Sequence, residues 1–200
     1  MISTRTRFLR NPEFSRLGID VIEHIESWVR ACGPTDLCDL LDSACLHLLV
    51  DVFRRVGGCE GTVWLADEDE RNLVAVYNSG DNSESLVGFE QPIGSGIISM
   101  VYAQQQPYCE NEIGASEGHD DTLDRKIEKH TSAMIAVPLY FASQLRGVIS
   151  CVQLEEVDPG AGRDGFSSDH VAELARVANV IERLIDETLL SSAFGLHDAG

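Results

Sequence analysis

Apolar residues recur at helical spacing along the first 56 residues. Asn11-Pro12-Glu13 opens a helix, because proline is tolerated in the first turn, and Cys32-Gly33-Pro34 ends it. Thr35 is the predicted N-cap of a second helix, which reaches Val56 and is stopped by Gly57-Gly58. The apolar stripe of the first helix consists of Phe14, Leu17, Val21, Ile25 and Trp28.

From Glu60 onward the pattern changes to short runs rich in β-branched and aromatic residues. Pro107 lacks an N–H donor, so its short run is predicted to be an edge strand. Two apolar runs around a short polar turn, Ala142–Arg146, predict a hairpin. The predicted elements are strands Glu60–Asp67 and Asn72–Asn78, helix Ile97–Gln105, edge strand Pro107–Glu110, and hairpin strands Ser132–Phe141 and Gly147–Leu154.

The last helix carries more apolar surface than packing against a single neighbouring element would bury. It is capped by Phe166–Asp169 and is predicted to run to about Leu190, with a frayed tail over Ser191–Gly200. Its two overlapping apolar stripes indicate that it packs against two surfaces. We expect a homodimer joined by a helical bundle; packing within one chain alone is the alternative. The expected interface residues are Phe14, Leu17, Val21, Trp28, Val177, Val180 and Leu184.

The charge of the chain excludes some partners. Its 33 acidic and 15 basic residues give a net charge of −18, so direct binding to nucleic acid or to an anionic membrane is disfavoured. No apolar run approaches the roughly 20 residues that span a bilayer. The N-terminus has arginines but no apolar core after them, so it is not a secretory signal, and a cytoplasmic location is expected.

The six cysteines do not form a metal or redox motif. No pair has CxxC spacing, and no zinc-like grouping with histidine occurs. Cys45 and Cys151 fall within apolar stretches and are interpreted as small core residues.

Five segments together resemble the GAF domain, a small-molecule sensor module of signalling proteins. The resemblance covers about Leu37 to Ile185, and the Val-Pro-Leu, short turn, Gly-Val-Ile order is its most specific part. The segments are Gly61–Asp67, Gln91–Ile97, Met134–Leu139, Leu145–Ile149 and Phe166–Asp169. PAS-like domains have a similar architecture.

The resemblance implies an α+β fold with a central antiparallel sheet of about six strands and the terminal helices on one face. The expected organisation is an N-terminal arm and helix over residues 1–34, the domain over 35–190, and a flexible tail over 191–200. A ligand pocket would lie on the other face of the sheet. Its implied walls are the helix Ile97–Gln105, the segment Cys109–Lys129, and nearby strand residues. The candidate ligand-binding residues are Tyr102, Tyr108, Cys109, Met134, Ala136, Ile149 and Cys151. Aromatic residues at strand and helix spacing are more often part of the hydrophobic core. Core packing is therefore the alternative role for Tyr102 and Tyr108.

The ligand signatures of the family match this chain poorly. Glu155-Glu156 stands where cyclic-nucleotide binders have Asn-Lys, and no cysteine for a bilin occurs between Asn111 and His130. Free methionine sulfoxide reductases need a reactive cysteine, whereas Cys109 has acidic neighbours that weaken a nucleophile. His119, Asp120 and Asp121 are weak metal candidates, and a solvated loop tip is the expected alternative. The sequence therefore does not identify a cofactor.

The acidic segment before the hairpin bears on the ligand. Between Glu110 and Asp124 there are six carboxylates and no Lys or Arg, so a pocket beneath it would favour a neutral or cationic ligand. A solvated surface loop is the alternative, and Arg125, Lys126 and Lys129 just beyond it would offset part of the negative field. The expected function is a non-enzymatic, dimeric sensor that binds an unidentified small molecule and relays the signal through its terminal helices, with a signalling protein as a possible partner. The alternatives are an interaction module with a closed pocket and a redox enzyme that uses Cys109.

Overall fold

The computed structural model describes residues 12–81, 83–113, 131–154 and 165–194, with side chains from residue 18 onward. Six helices and six strands are assigned within these ranges. The helices are α1 (Pro12–Ala31), α2 (Pro34–Leu37), α3 (Ser43–Arg55), α4 (Ser83–Leu86), α5 (Gly96–Gln104) and α6 (Ser168–Ala193). The strands are β1 (Glu60–Ala66), β2 (Asn72–Asn78), β3 (Glu90–Pro92), β4 (Tyr108–Glu110), β5 (Thr131–Phe141) and β6 (Gln144–Leu154).

The strands form one antiparallel sheet in the order β3-β2-β1-β6-β5-β4. The predicted α+β class, strand number and helix placement are thereby confirmed. The short strands β3 and β4 lie at the two edges of the sheet. The edge position of β4 was predicted from Pro107, which precedes it.

Helices cover the two sides of the sheet differently. We call the side under α1, α3 and α6 the α6 face, where Leu49, Val52, Ile135, Ile149 and Ile181 belong to one buried cluster. The opposite side, under α4 and α5, is the α5 face, where a second cluster forms around α5 and the middle of the sheet. That cluster includes Trp64, Leu73, Ile98, Val101, Met134 and Val148.

The second helix differs from its prediction. The chain makes α2 and a 3₁₀ turn, Cys38–Leu40, and α3 then starts afresh at Ser43. The break occurs because the Asp42 carboxylate accepts a hydrogen bond from the Cys45 N–H at 2.8 Å and so caps a new helix. Thr35 is therefore not an N-cap; Gly33 takes that place, with Pro34 following it.

The last helix is longer than predicted and reaches Ala193. Ser167 and His170 form a reciprocal capping box at its start. Val177 is only 6% exposed and belongs to the core of the α6 face, so the prediction that it lies in a dimer interface is wrong. α1 is likewise part of the domain core, since Ile25 and Val29 are buried in the same cluster.

A bulge decides which residues of β6 face which side. Tyr140 pairs with Leu145, but Leu139 pairs with Gly147, so Arg146 is an extra residue on β6. The pairs from Leu139–Gly147 to Ala133–Gln153 are shifted by one residue, and a shift of one exchanges the two faces of a strand.

Candidate functional site

Part of the α5 face is polar, and the strand register fixes which residues meet there. Directly paired residues of neighbouring strands lie on the same side of a sheet. Gly61 confirms the orientation of β1, because an added Cβ would strike the Phe53 ring of α3. Glu60 and Thr62, its neighbours, therefore point to the α5 face.

Three parallel rows cross the α5 face. We call them the acid row, the hydroxyl row and the apolar row. The acid row is Glu110, Met134, Val152 and Glu60. The hydroxyl row is Tyr108, Ala136, Ser150, Thr62 and Asn78. The apolar row is Pro138, Val148, Trp64 and Ala75.

Two residues of the hydroxyl row accept side-chain hydrogen bonds, one from the apolar row and one from within the row. Trp64 Nε1 donates to Ser150 Oγ at 3.0 Å, and Asn78 Nδ2 donates to Thr62 Oγ1 at 2.9 Å. Each hydroxyl so accepts one bond and retains its own proton for donation. Buried polar groups are costly unless they are bonded, which makes this row a specific arrangement rather than ordinary core.

The acid row ends in two differently held carboxylates. At one end, Glu110 accepts from the backbone N–H groups of Asn111 and Glu112 at 3.0 and 3.1 Å and from the Tyr108 hydroxyl at 3.2 Å. Burial first, and the neighbouring Glu110 second, raise the pKa of Tyr108, which keeps its phenol protonated for this bond. At the other end, Glu60 is 6% exposed, and its carboxylate lies against Gly80.

The structure brings together four of the seven candidate ligand-binding residues. Met134, Ala136 and Tyr102 are buried in the cluster of the α5 face, and Tyr108 packs against it. Ile149 and Cys151 lie on the α6 face, so their placement beside Met134 and Ala136 is wrong. The physical reason is the bulge at Arg146, which brings Val152 and Ser150 to those positions instead.

Cys109 also lies on the α6 face. It pairs with Ile135, and its Sγ lies 3.6 Å from the Phe166 carbonyl oxygen. Burial, and then the neighbouring Glu110, raise the pKa of the Cys109 thiol. A raised pKa leaves less thiolate, the nucleophilic form.

The metal candidates His119, Asp120 and Asp121 lie outside the described residues. Within the described ranges, no group of three or more His, Cys, Asp or Glu side chains is arranged to hold a metal ion. No helix in this part of the chain is long and apolar enough to cross a membrane.

The candidate interface residues fall into three groups. Trp28 and Val180 are exposed, at 46% and 40%. Val21 and Leu184 are partly buried against the core of the α6 face, and Val177 is inside it. Phe14 and Leu17 belong to α1, but their side chains lie outside the described part.

Beside α1 run two shallow grooves that reach the end of α6. One, of about 250 Å³, includes Trp28, Leu40 and Leu189 in its walls. The other, of about 190 Å³, includes Ile22, Ala142 and Leu190. Together with the exposed side chains of Ile19 and Phe194, they leave the terminal helices with uncovered apolar surface.

A double hydrogen bond joins the edge of the sheet to the start of α6. Asn111 Nδ2 donates to the Phe166 carbonyl at 3.0 Å, and the Phe166 N–H donates to Asn111 Oδ1 at 2.7 Å. We call this pair the Asn111 clamp. It connects the residue after Glu110, at the end of the acid row, to the residue before the cap of α6.

The sheet and the helices on its two sides define a domain of the α+β class. A family model described as a GAF domain matches residues 39–186. The chain belongs to the GAF domain family, and the resemblance seen in the sequence is confirmed.

Solved structures with this fold include GAF domains of larger proteins and a reductase. The GAF domain of a phosphoenolpyruvate-protein phosphotransferase from Coxiella burnetii is 17% identical with a TM-score of 0.59, over 89% of this chain and 96% of that one. GAF-B of DevS from Mycobacterium smegmatis is 16% identical with a TM-score of 0.54, over 75% and 94%. The free methionine-R-sulfoxide reductase of Neisseria meningitidis, in complex with its substrate, is 19% identical with a TM-score of 0.55, over 91% and 96%. At these identities the likeness shows the fold alone. No curated protein matches the chain.

Proposed function

We propose that this chain is a non-enzymatic sensor domain that binds a small molecule on the α5 face and relays binding through α1 and α6 of a homodimer. The Asn111 clamp carries the proposal. A ligand on the acid row contacts the end of β4, and the clamp joins that point directly to the start of α6. Relay requires that the ligand bind two helix arrangements with different affinity, and the clamp supplies a mechanical link between ligand and helix.

Binding without chemistry is favoured by the placement of Cys109. A redox enzyme on this scaffold would need a reactive thiolate beside the ligand. Cys109 points to the opposite side of the sheet from the polar rows, and its thiol has a raised pKa. Replacing Cys109 with serine should leave ligand binding unchanged.

Dimerisation is supported by the uncovered apolar surface of the terminal helices. Ile22, Trp28 and Leu190 line the two grooves beside α1 and are 42–48% exposed in the single chain. A second copy of the chain would bury them. Because the chain carries a net charge of −18, self-association has to overcome mutual repulsion, and added salt should strengthen the dimer.

Native mass spectrometry of the gently purified protein tests both halves of the proposal. The expected result is a dimer that carries a reproducible added small mass. A monomer with the bare chain mass would contradict the proposal. A dimer without added mass would favour instead a module that binds a signalling protein through its terminal helices.

The interface has a matched control within the chain. Trp28→Glu should convert the dimer to monomer in sedimentation velocity, because it places a charge within the buried contact. Val87 is exposed to the same extent, 47% against 46%, but follows α4, far along the chain from the terminal helices. Val87→Glu should therefore leave the dimer intact. Equal loss of dimer in both variants would show that charge alone, and not this surface, is responsible.

A further inference from the structure

A small cavity at one end of the sheet lies beside the bulge residue Arg146. Its volume is about 30 Å³, and its walls are the end of α1, the turn between β1 and β2, Tyr102 of α5, and Leu145 and Arg146 of β6. A cavity needs about 10–15 Å³ to hold one water molecule, so this one has room for about two water-sized groups. Its wall residues belong to none of the three rows of the α5 face, so it is a separate site.

Arg146 brings a positive charge to this cavity without a partner for it. Its Nε and Nη2 are buried, and neither has a hydrogen-bond partner within the described part of the chain. The ion pairs seen in that part join other residues. A buried donor that is left unpaired costs free energy, and the cost is larger for a charged group. The guanidinium therefore lacks the acceptor that its position requires.

The carboxylates around the cavity do not supply that acceptor. Both oxygens of Asp67 are occupied, since Oδ1 accepts from the Arg71 N–H at 2.6 Å and Oδ2 accepts from Asn72 Nδ2 at 2.8 Å. Glu68 and Glu70 are exposed, so water and salt screen their charges. The negative charge at the opening of the cavity is thus solvated, whereas the positive charge of the guanidinium is half-buried.

Two further groups in the walls favour an anion. Arg30, in the last turn of α1, also lines the cavity. Burial first, and the charge of Arg30 second, lower the pKa of Arg146, and an anion between the two guanidinium groups would relieve their repulsion. Burial is the main cause that raises the pKa of Tyr102, so its hydroxyl stays protonated and can donate a hydrogen bond.

We infer that this cavity binds the carboxylate group of a small monocarboxylic acid, held by the guanidinium of Arg146 and flanked by Arg30 and the Tyr102 hydroxyl. A guanidinium offers parallel N–H groups that match the two oxygens of a carboxylate, and such paired bonds are the stronger kind. Because Nε and Nη2 are closed off from solvent, a small turn of the side chain has to present them to the ligand. Glu68 and Glu70 at the opening disfavour a second negative charge on the same molecule.

The site goes beyond the proposed function, because it lies apart from the polar rows and contacts α1 directly. A ligand there would touch α1, the turn after β1 and β6 together. Occupancy would therefore tie the end of α1 to the sheet.

Three small probes separate charge from shape. Acetamide has the shape of acetate without its charge, and malonate adds a second carboxylate. Each is titrated into isotope-labelled protein at constant ionic strength, balanced with sodium chloride. NMR follows the Nε–Hε signal of Arg146 and the backbone amide signals of Val29 and Tyr102. We expect a saturable shift with acetate, none with acetamide, and weaker binding of malonate.

Variants locate the binding. Arg146→Lys keeps the positive charge and removes the paired N–H groups, so it should weaken acetate binding at least about tenfold, read from the Val29 and Tyr102 amides. Arg54→Lys is the matched control, because Arg54 is an exposed arginine of α3 that pairs with Asp51. It should change the affinity less than about twofold.

Several results would overturn the inference. Shifts that do not saturate with acetate, or equal shifts with acetamide, would show a cavity that holds water only. Equal weakening in Arg54→Lys would show a response to net charge, and unchanged affinity in Arg146→Lys would place the acetate elsewhere. If Arg146→Lys does not fold, the Nε–Hε signal of the wild-type protein gives the answer.

The proposed function is tested separately. A bound mass that persists in native mass spectrometry of Arg146→Lys belongs to another site, such as the α5 face, and supports the sensor even if acetate does not bind. Acetate binding to a protein that is monomeric and carries no other mass would leave the carboxylate site intact and contradict the sensor.

Discussion

The α6 face and the α5 face belong to the same six strands but are buried in different ways. Against α6 the strands present Val63, Ile135, Ile149 and other apolar side chains, which interdigitate with three helices. Toward α5 the same strands present a buried carboxylate, two hydroxyls and an amide in addition to apolar residues. Packing alone would favour apolar residues on both sides, because buried polar groups cost free energy. The difference is what the proposed sensor function requires, with one face maintaining the fold and the other recognising a ligand.

The largest expected effect separates two neighbouring residues of β6. Ile149→Ala should lower the free energy of unfolding by about 2–5 kcal/mol, because it leaves a cavity in the α6 face. Ser150→Ala should cost about 1–3 kcal/mol, since Trp64 Nε1 then loses its acceptor. Urea denaturation followed by circular dichroism measures both. A larger loss of unfolding free energy in Ser150→Ala than in Ile149→Ala would contradict the conclusion that the α6 face contributes more to stability than the α5 face.

A smaller effect is expected where the two faces are joined. Asn111→Ala removes both hydrogen bonds of the Asn111 clamp and should cost about 1–2 kcal/mol. The loss should be local, so hydrogen exchange should accelerate in residues 166–170 and stay unchanged in β1. Glu112→Ala, one position along and exposed, is the control. Uniform acceleration across the chain would show that the clamp supports the whole fold and not this junction.

The smallest effect lies within the α6 face, at the cap of α3. Asp42→Ala should cost about 1 kcal/mol at neutral pH, whereas Asp42→Asn keeps a cap. The hydrogen bond from the Cys45 N–H holds the pKa of Asp42 below its ordinary value. A lowered folded pKa stabilises the protein above the unfolded pKa of about 3.9 and ceases to do so as the pH falls through the folded value. The difference between wild type and Asp42→Ala should therefore shrink below about pH 4, which acid titration of the unfolding transition checks; a constant difference would exclude the carboxylate as its origin.

The sequence was sufficient for the fold because the fold depends on periodicity. Helical spacing in α1, α3 and α6, and the two apolar runs of the hairpin, predicted the elements and the family. The sequence analysis did not predict the helix break at Asp42. An aspartate inside an apolar helical pattern is normally interpreted as an exposed helix position, and only the structure shows that its side chain bonds to the Cys45 N–H. Helix propensity cannot distinguish an exposed aspartate within a helix from an aspartate that caps a new one.

The candidate site was predicted less well because it depends on register. With the two-residue turn Ala142–Ser143 and no bulge, Met134 would face Cys151 and Ala136 would face Ile149, which is the grouping expected from the sequence. One extra residue, Arg146, exchanges the faces of the rest of β6, and no local pattern marks it. The available signal was the alternation itself. Glu60, Thr62 and Ser150 are polar residues at alternate positions of otherwise apolar strands, and such residues point to one side.

The hairpin turn adds a mechanical consequence to the packing of α6. Ala142 and Ser143 both have positive φ angles, 49° and 60°, which residues with a side chain adopt at a cost. The Asp186 carboxylate of α6 accepts a hydrogen bond from the Ala142 N–H at 2.7 Å and helps to hold the turn in this form. Two-residue hairpin turns ordinarily take this form, so displacement of α6 would remove the bond from Ala142 and leave the turn supported by the pairing of β5 and β6 alone. The position of α6 and the geometry of the hairpin tip are thereby coupled.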